Sequence, residues 1–268
     1  MLIKILMENT SADKRLQSEH GLSLYIETEK HKLIMDTGQS DITWDNADQL
    51  GIDLTSVDTL VISHGHYDHA GGLMEFAKCN SSAGIYMQKT AGGDYYHGER
   101  YIGINKEILN LPQLILLEGD YRIDEELFLF GSIRGRRYWP ESNKILTQMV
   151  NGRLVQDEFL HEQCLVVQEG GRSLLISGCA HNGILNILDC YRRIYDTDPD
   201  AVISGFHMMK KTAYTEGEKQ IIIDTAKELS GLHTEFYTGH CTGAAYEILA
   251  EYMPKNLHRI STGMEIIL

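Results

Sequence analysis

The segment His64-Gly65-His66-Tyr67-Asp68-His69 packs three imidazoles and a carboxylate into six residues, directly after the apolar run Thr59-Leu60-Val61-Ile62-Ser63. That run is short, β-branched and bounded by a turn signal, so it predicts a buried strand with the cluster on the loop at its carboxyl end. So many nitrogen donors on a buried loop must be satisfied by something. Neutral imidazole suits Zn, Fe or Ni, and a hard carboxylate suits a metal that also holds water. A surface histidine tract or a tag would be terminal and would lack the preceding strand, so the spacing favours a metal site.

A tight turn points alternate side chains in different directions, so these four donors cannot all hold one ion. His64 and His66 can converge on one metal, leaving Asp68 and His69 to face a second. Three further places offer donors, each after a strand-like run: Gly178-Cys179-Ala180-His181, Gly205-Phe206-His207 and Gly239-His240-Cys241. Ligand sites of α/β sheets lie at the carboxyl ends of strands, so four such loops on one rim would build a single site.

This pattern resembles the metallo-β-lactamase superfamily of binuclear metallohydrolases, and the resemblance runs over nearly the whole chain, beginning at Asp36-Thr37-Gly38. His161-Glu162-Gln163 and the glycine-histidine motifs above are similar to one branch, that of the dihydropterin ribofuranosyl-aminobenzene-phosphate synthase and its bacterial relatives. The resemblance implies an α/β fold, a four-layer αββα sandwich with the site at one edge of the sheets. It puts His64, His66 and His181 on a first metal and Asp68, His69 and His240 on a second. It also implies that Asp68 touches the nucleophilic water. Most of the superfamily has a bridging aspartate where this chain has His207, which cannot bridge two cations as a carboxylate does. The second site is therefore expected to be weaker, or His207 to face substrate as a catalytic group. A hydrogen-bonded core histidine is the plainer account of that residue.

Length and composition suit one domain spanning 1–268, with a large core. Hydrophobic residues make up 43% and charged residues 23%, and the formal net charge is −14. That field argues against nonspecific binding to nucleic acid or an anionic membrane. Met1-Leu2-Ile3-Lys4-Ile5-Leu6-Met7 is too short and too soon interrupted for a signal peptide or a span, and reads as a first strand. Five cysteines with no C-x-x-C pair point to a reducing cytoplasm rather than a disulfide framework. Cys179 and Cys241 lie beside proposed ligands, and small buried packing residues are the favoured reading of both.

The first section is strand-dense (Leu2–Met7, Leu22–Glu27, Lys32–Asp36, Thr59–Ser63), with a helix-like stretch at Asp41–Leu50. The last hundred residues alternate: strands Ser173–Ser177, Ala201–Ser204 and Thr234–Thr238 precede helices Ile184–Tyr195, Glu216–Ser230 and Ala244–Tyr252, and Met264–Leu268 closes as a strand. Two sheets packed face to face with helices outside satisfy that order. Residues 88–150 fit it least and read as an insertion that sets substrate specificity. Their aromatics and arginines suit a phosphate-bearing ring substrate: Lys89, Tyr96, Arg100, Arg134, Arg136 and Arg137 are the candidates, with Lys210 and Lys211 nearby. A solvated loop with a few staples explains the same segment.

A metal held by three histidines keeps an open position and brings its water toward neutral pKa, and Asp68 can orient that water or accept its proton. Histidine ligands donate their other N–H to an outer acceptor. Asp36 is the candidate, with an ordinary turn cap as its plainer role, and Glu162 could serve similarly. Three functions follow. The first is hydrolysis of a phosphodiester, phosphomonoester, lactone or related ester at a site of one or two divalent ions, zinc before Mn or Fe. The second is a synthase-like condensation of a pterin precursor with an aminobenzene ribosyl phosphate. The third is a non-enzymatic metal-dependent binding or redox role. The expected partner is a small molecule, and the sequence is silent on oligomeric state.

Overall fold

Alternation along the strands sorts the apolar side chains into three cores, and these define the layers. In the computed structural model, which describes residues 1–268, Leu33 and Met35 face one way and Ile34 the other; Leu165 and Val167 oppose Cys164 and Val166 in the same manner. One set from each sheet meets between the sheets, where Ile3, Ile5, Leu24 and Met35 pack against Leu129, Leu165, Leu174 and Ile203. The outer face of the first sheet is covered by helices Ile42–Gln49 and Leu73–Cys79. The second is covered by Ile184–Tyr195, Glu216–Ser230 and Ala245–Tyr252. This is the αββα sandwich that the alternation of elements predicts.

The two sheets have parallel designs. In the first, seven strands run in the order Glu265–Ile267, Leu2–Met7, Ser23–Glu27, Lys32–Met35, Thr59–Val61, Gly84–Gln88, Leu114–Leu117. The first four pair antiparallel, and from Lys32–Met35 onward the pairing is parallel. In the second the order is Leu257–Arg259, Glu235–Thr238, Ala201–Ser204, Arg172–Ser177, Cys164–Glu169, Leu127–Phe130, Tyr121–Arg122. Here the first four are parallel and the rest antiparallel. Parallel pairing forces each chain crossover back over the sheet, so the carboxyl ends of consecutive parallel strands open onto one rim. Asp36, Ser63, Cys179, Gly205 and His240 all follow such ends.

Residues 88–150 do not form one inserted unit. Leu114–Leu117 extends the first sheet, and Tyr121–Arg122 with Leu127–Phe130 extends the second. Only Tyr95–His97, Arg100–Tyr101 and Leu146–Val150 stand apart, joined by Arg153–Gln156 in a small third sheet. Leu114-Ile-Leu-Leu117 and Leu127-Phe-Leu-Phe130 carry enough apolar surface to dock on sheet edges, and the polar residues around them hid that pattern. No helix is long and apolar enough to cross a membrane.

At the opposite rim His31 joins the two sheets. Its Nδ1 lies 2.8 Å from Asp58 Oδ1 in the first, and its Nε2 lies 2.6 Å from Asp124 Oδ2 at a turn of the second. Burial disfavours the charged ring, but the two carboxylates outweigh it and raise the His31 pKa. A histidine whose folded pKa exceeds its unfolded value of about 6.5 stabilises fully below that value and loses the contribution as pH rises through the folded pKa. The gap in melting temperature between wild type and His31→Gln should thus be widest at and below pH ~6.5 and shrink at alkaline pH. A gap that does not change with pH would contradict the clamp.

Candidate metal centre

Four histidines at the rim share one arrangement. Ser63 Oγ donates to Asp36 Oδ2 at 2.7 Å, so the His64 Nδ1–H, 2.8 Å away, must donate to that oxygen. The His69 Nδ1–H donates to Asp36 Oδ2 at 2.6 Å. Asn143 gives its amide N–H to the His181 carbonyl at 2.7 Å, which turns its Oδ1 toward His181 Nδ1 at 3.0 Å. Asn9 does the same for His240, with 3.2 Å to the carbonyl and 2.9 Å to Nδ1. Each ring therefore donates through Nδ1, which leaves Nε2 as the atom that can offer a lone pair.

Those Nε2 atoms face one another in pairs, His64 with His181 at 3.3 Å and His69 with His240 at 3.2 Å. Bare lone pairs so close repel unless a proton or a cation lies between them. Donors arranged tetrahedrally around a zinc ion stand roughly 3.3–3.4 Å apart, so the spacing fits a metal. His66 stands beside the first group: its ring centroid lies 4.6 Å from that of His64 and 4.9 Å from that of His181, its buried Nε2 has no hydrogen-bond partner, and its donor atom also groups with those of Asp157 and His161. Asp68 completes the second, with Oδ2 3.3 Å from His240 Nε2 and 3.7 Å from His69 Nε2. A helical turn, Tyr67–Ala70, carries Asp68 and His69, with the His69 ring centroid 4.1 Å from that of His64, so the two groups adjoin.

The geometry strains the backbone. Asp36, Ala180, His207 and His240 have φ of 62°, 55°, 47° and 47°, in the left-handed region that non-glycine residues avoid. Gly178 serves the opposite need. A Cβ there would lie 2.1 Å from Ser63 Oγ, so only glycine lets the end of Arg172–Ser177 close on the His64 loop.

Electrostatics separate the two groups. Burial, then neighbouring imidazoles, hold the pKa values of His64 and His181 well below the ordinary value, and that of His66 falls to about 3. All three are neutral donors at pH 7. For His69 burial opposes charge, but Asp36 and Asp68 outweigh it and raise the pKa to about 9. Asp68 is ionised: burial pushes its pKa up, and His69, His20 and His240 together pull it well below the carboxylate range.

Asp36 accepts from the Ser63 N–H and Oγ and from His69 Nδ1, so it holds the start of the His64 loop and one of its imidazoles. Glu162 acts on backbone rather than on an imidazole, accepting the His181 N–H at 2.6 Å and the Asn182 N–H at 2.9 Å. His207 is not a hydrogen-bonded core histidine. Its ring centroid stands 4.0 Å from that of His181 and its Nδ1 is buried without a partner. The substrate candidates are not gathered. Lys89 pairs with Glu118, Arg137 with Glu228 and Asp189, and Arg134 and Lys211 are exposed. Tyr96 packs edge-on against Tyr101, and Lys210 pairs with Glu218. Arg100 lies over the Tyr67 ring, and Arg136, paired with Glu158, also reaches Asn182 beside His181. These two remain near the centre.

Ser63, Asn9, Asn143 and His20 escaped the sequence reading. His20 Nε2 lies 3.3 Å from Asp68 Oδ2. The asparagines sit in irregular segments with no local signal, whereas Ser63 adjoined the cluster and could have been found. Cys179 was read as packing; it is buried, and its Sγ lies 3.2 Å from His69 Nε2.

The metallo-β-lactamase superfamily profile matches residues 18–141. An uncharacterized protein of Methanocaldococcus jannaschii is 33% identical over 213 residues, 78% of this chain and 80% of the relative. The 7,8-dihydropterin-6-methyl-4-(β-D-ribofuranosyl)-aminobenzene-5′-phosphate synthase of the same organism is 28% identical over 267 residues, 92% and 89% of the two chains. Among solved structures, a metal-dependent hydrolase of the β-lactamase superfamily superposes with a TM-score of 0.84 at 31% identity, covering 100% of this chain and 99% of the other. Zn(2+)-bound PqqB from Methylobacterium extorquens, at a TM-score of 0.62 and 12% identity, shares the fold, with 100% of each chain covered.

Two expectations follow. Filling the Asp68–His69–His240 group must displace the proton on His69, so divalent-metal binding at pH 7 should release at least that proton, and apparent affinity should rise with pH until about 9. Calorimetry in buffers of different ionisation enthalpy reads this; binding independent of pH would refute it. Asp36→Asn should weaken metal binding about 10–100-fold by freeing the rings it orients. Unchanged affinity would remove Asp36 from that role.

Proposed function

The chain belongs to the metallo-β-lactamase superfamily, and on that premise we propose that it is a metal-dependent hydrolase of a small phosphate- or ester-containing substrate. His64, His66 and His181 would hold one divalent cation, zinc first, and Asp68, His69 and His240 a second. The observation that carries the reading is the facing of Nε2 atoms at 3.2 and 3.3 Å in rings whose Nδ1 atoms are committed elsewhere. A cation bound there lowers the pKa of its water and polarises the scissile bond.

The chain's own groups supply the rest. Asp68 is ionised and lies at the edge of its group, where a carboxylate oxygen orients the attacking water or takes its proton. Its contact with His20 would hold it in place. His207, half-buried beside His181, would meet the substrate. Next to it opens a cleft of about 260 Å³ lined by Ser142, Ile145, Met208, Tyr214 and Ile222, with Lys144 and Lys210 at its edge paired to Glu141 and Glu218. A ring or alkyl body would suit its apolar floor. Arg100 and Arg136 are the remaining substrate candidates. The five cysteines are all free, which suits a reducing compartment, and we place the protein in the cytoplasm.

A second reading has its own support: the 28% identical relative named as a synthase spans 92% of this chain. The same cations would then polarise a carbonyl for condensation. A screen of generic phosphodiester, phosphomonoester, lactone and thioester substrates separates the two. Hydrolysis predicts metal-dependent turnover of one class, falling at least about 100-fold in His66→Ala. Full metal loading without turnover of any class would favour the synthase-like reaction.

A further inference from the structure

We propose that Cys179 is a metal donor shared between the two groups, a thiolate in the bridging role for which His207 provides no carboxylate. The inference rests on the two-cation reading above and adds to it a seventh protein donor of a different chemical kind.

The placement is set by the backbone. Gly178 closes against Ser63, with room for no side chain, and the next residue projects from that strand end beside the His64 loop. The Cys179 Sγ lies 3.2 Å from His69 Nε2. It falls within 4.8 Å of the donor nitrogens of both His64 and His181, and within the same distance of those of both His69 and His240. Among the chain's side chains it thus neighbours both facing pairs. Only 3% of Cys179 is exposed, so its sulfur has protein donors, not solvent, for company.

Cys241 does not compete for the role. Its S–H points to the Cys179 carbonyl at 3.5 Å, and its sulfur accepts the His207 N–H at 3.3 Å. It groups with Cys179 and His207 but with neither facing pair of imidazoles. Chemically, a thiolate sulfur has lone pairs enough for two cations, and soft sulfur with imidazole selects zinc-like ions over magnesium or calcium. Coordination forms a metal–sulfur bond and releases the thiol proton to the buffer, so charge balances without any oxidant.

The test uses the full chain loaded with Co(II). A sulfur-to-cobalt charge-transfer band in the near ultraviolet is expected in wild type, retained in Cys241→Ser and lost in Cys179→Ser. Should Cys179→Ser fail to fold, X-ray absorption at the zinc edge of the wild type decides, with a sulfur scatterer at about 2.3 Å expected. Bound metal with only nitrogen and oxygen neighbours would overturn the Cys179 inference and leave the two-cation reading intact. A band that survives in Cys179→Ser would overturn it as well. A chain that takes up no metal would overturn both.

Discussion

The structure depends on a conflict that the protein alone does not resolve. His64, His69, His181 and His240 each commit the Nδ1 proton to an acceptor fixed elsewhere, in Ser63, Asp36, Asn143 and Asn9. What remains are lone pairs aimed at one another inside a buried rim. A cation in each pair would convert the repulsion into coordination on both sides. Protonation relieves only one side, because Asp36 and Asp68 favour charge on His69 while burial among other imidazoles forbids it on His64, His66 and His181.

The rest of the fold holds that conflict in place. Parallel pairing at the middle of each sheet brings the ends of Lys32–Met35, Thr59–Val61, Arg172–Ser177, Ala201–Ser204 and Glu235–Thr238 to a common edge. The inter-sheet core fixes how far apart the two edges lie, and Gly178 and Gly239 leave out side chains that would meet Ser63 and Glu8 across the gap. Left-handed backbone at Asp36, Ala180, His207 and His240 marks where the chain turns sharply to aim a side chain inward. Such strain is stable only because the packed strands before it and the helices after it leave no alternative.

Much of this was legible in the residues. The histidine cluster after an apolar run, and the recurring strand–glycine–histidine order, placed six donors at one rim; there His64 faces His181, His69 and Asp68 face His240, and the His66 ring stands beside the first pair. Asp36 was legible for the same reason, since a carboxylate at a strand end next to the cluster has few other uses. What failed to show was whatever depended on geometry between distant segments. Asn9 and Asn143 look like ordinary polar residues until a carbonyl 231 or 38 positions away fixes their amides. Cys179 looked like packing because its distance to His69, 110 positions earlier, cannot be read from a sequence. Arginines and aromatics of 88–150 suggested a binding surface, but carboxylates from other elements neutralise several of them. The two sheet-edge runs in that segment, four residues each, were too short to stand out from their polar surroundings.

Native mass spectrometry of the intact protein, equilibrated with Zn and then desalted, tests the central claim most directly. Two retained ions per chain are predicted, one for each facing pair of imidazoles. Retention of none would mean that the buried nitrogens are satisfied without a cation, and the account of this rim would be wrong.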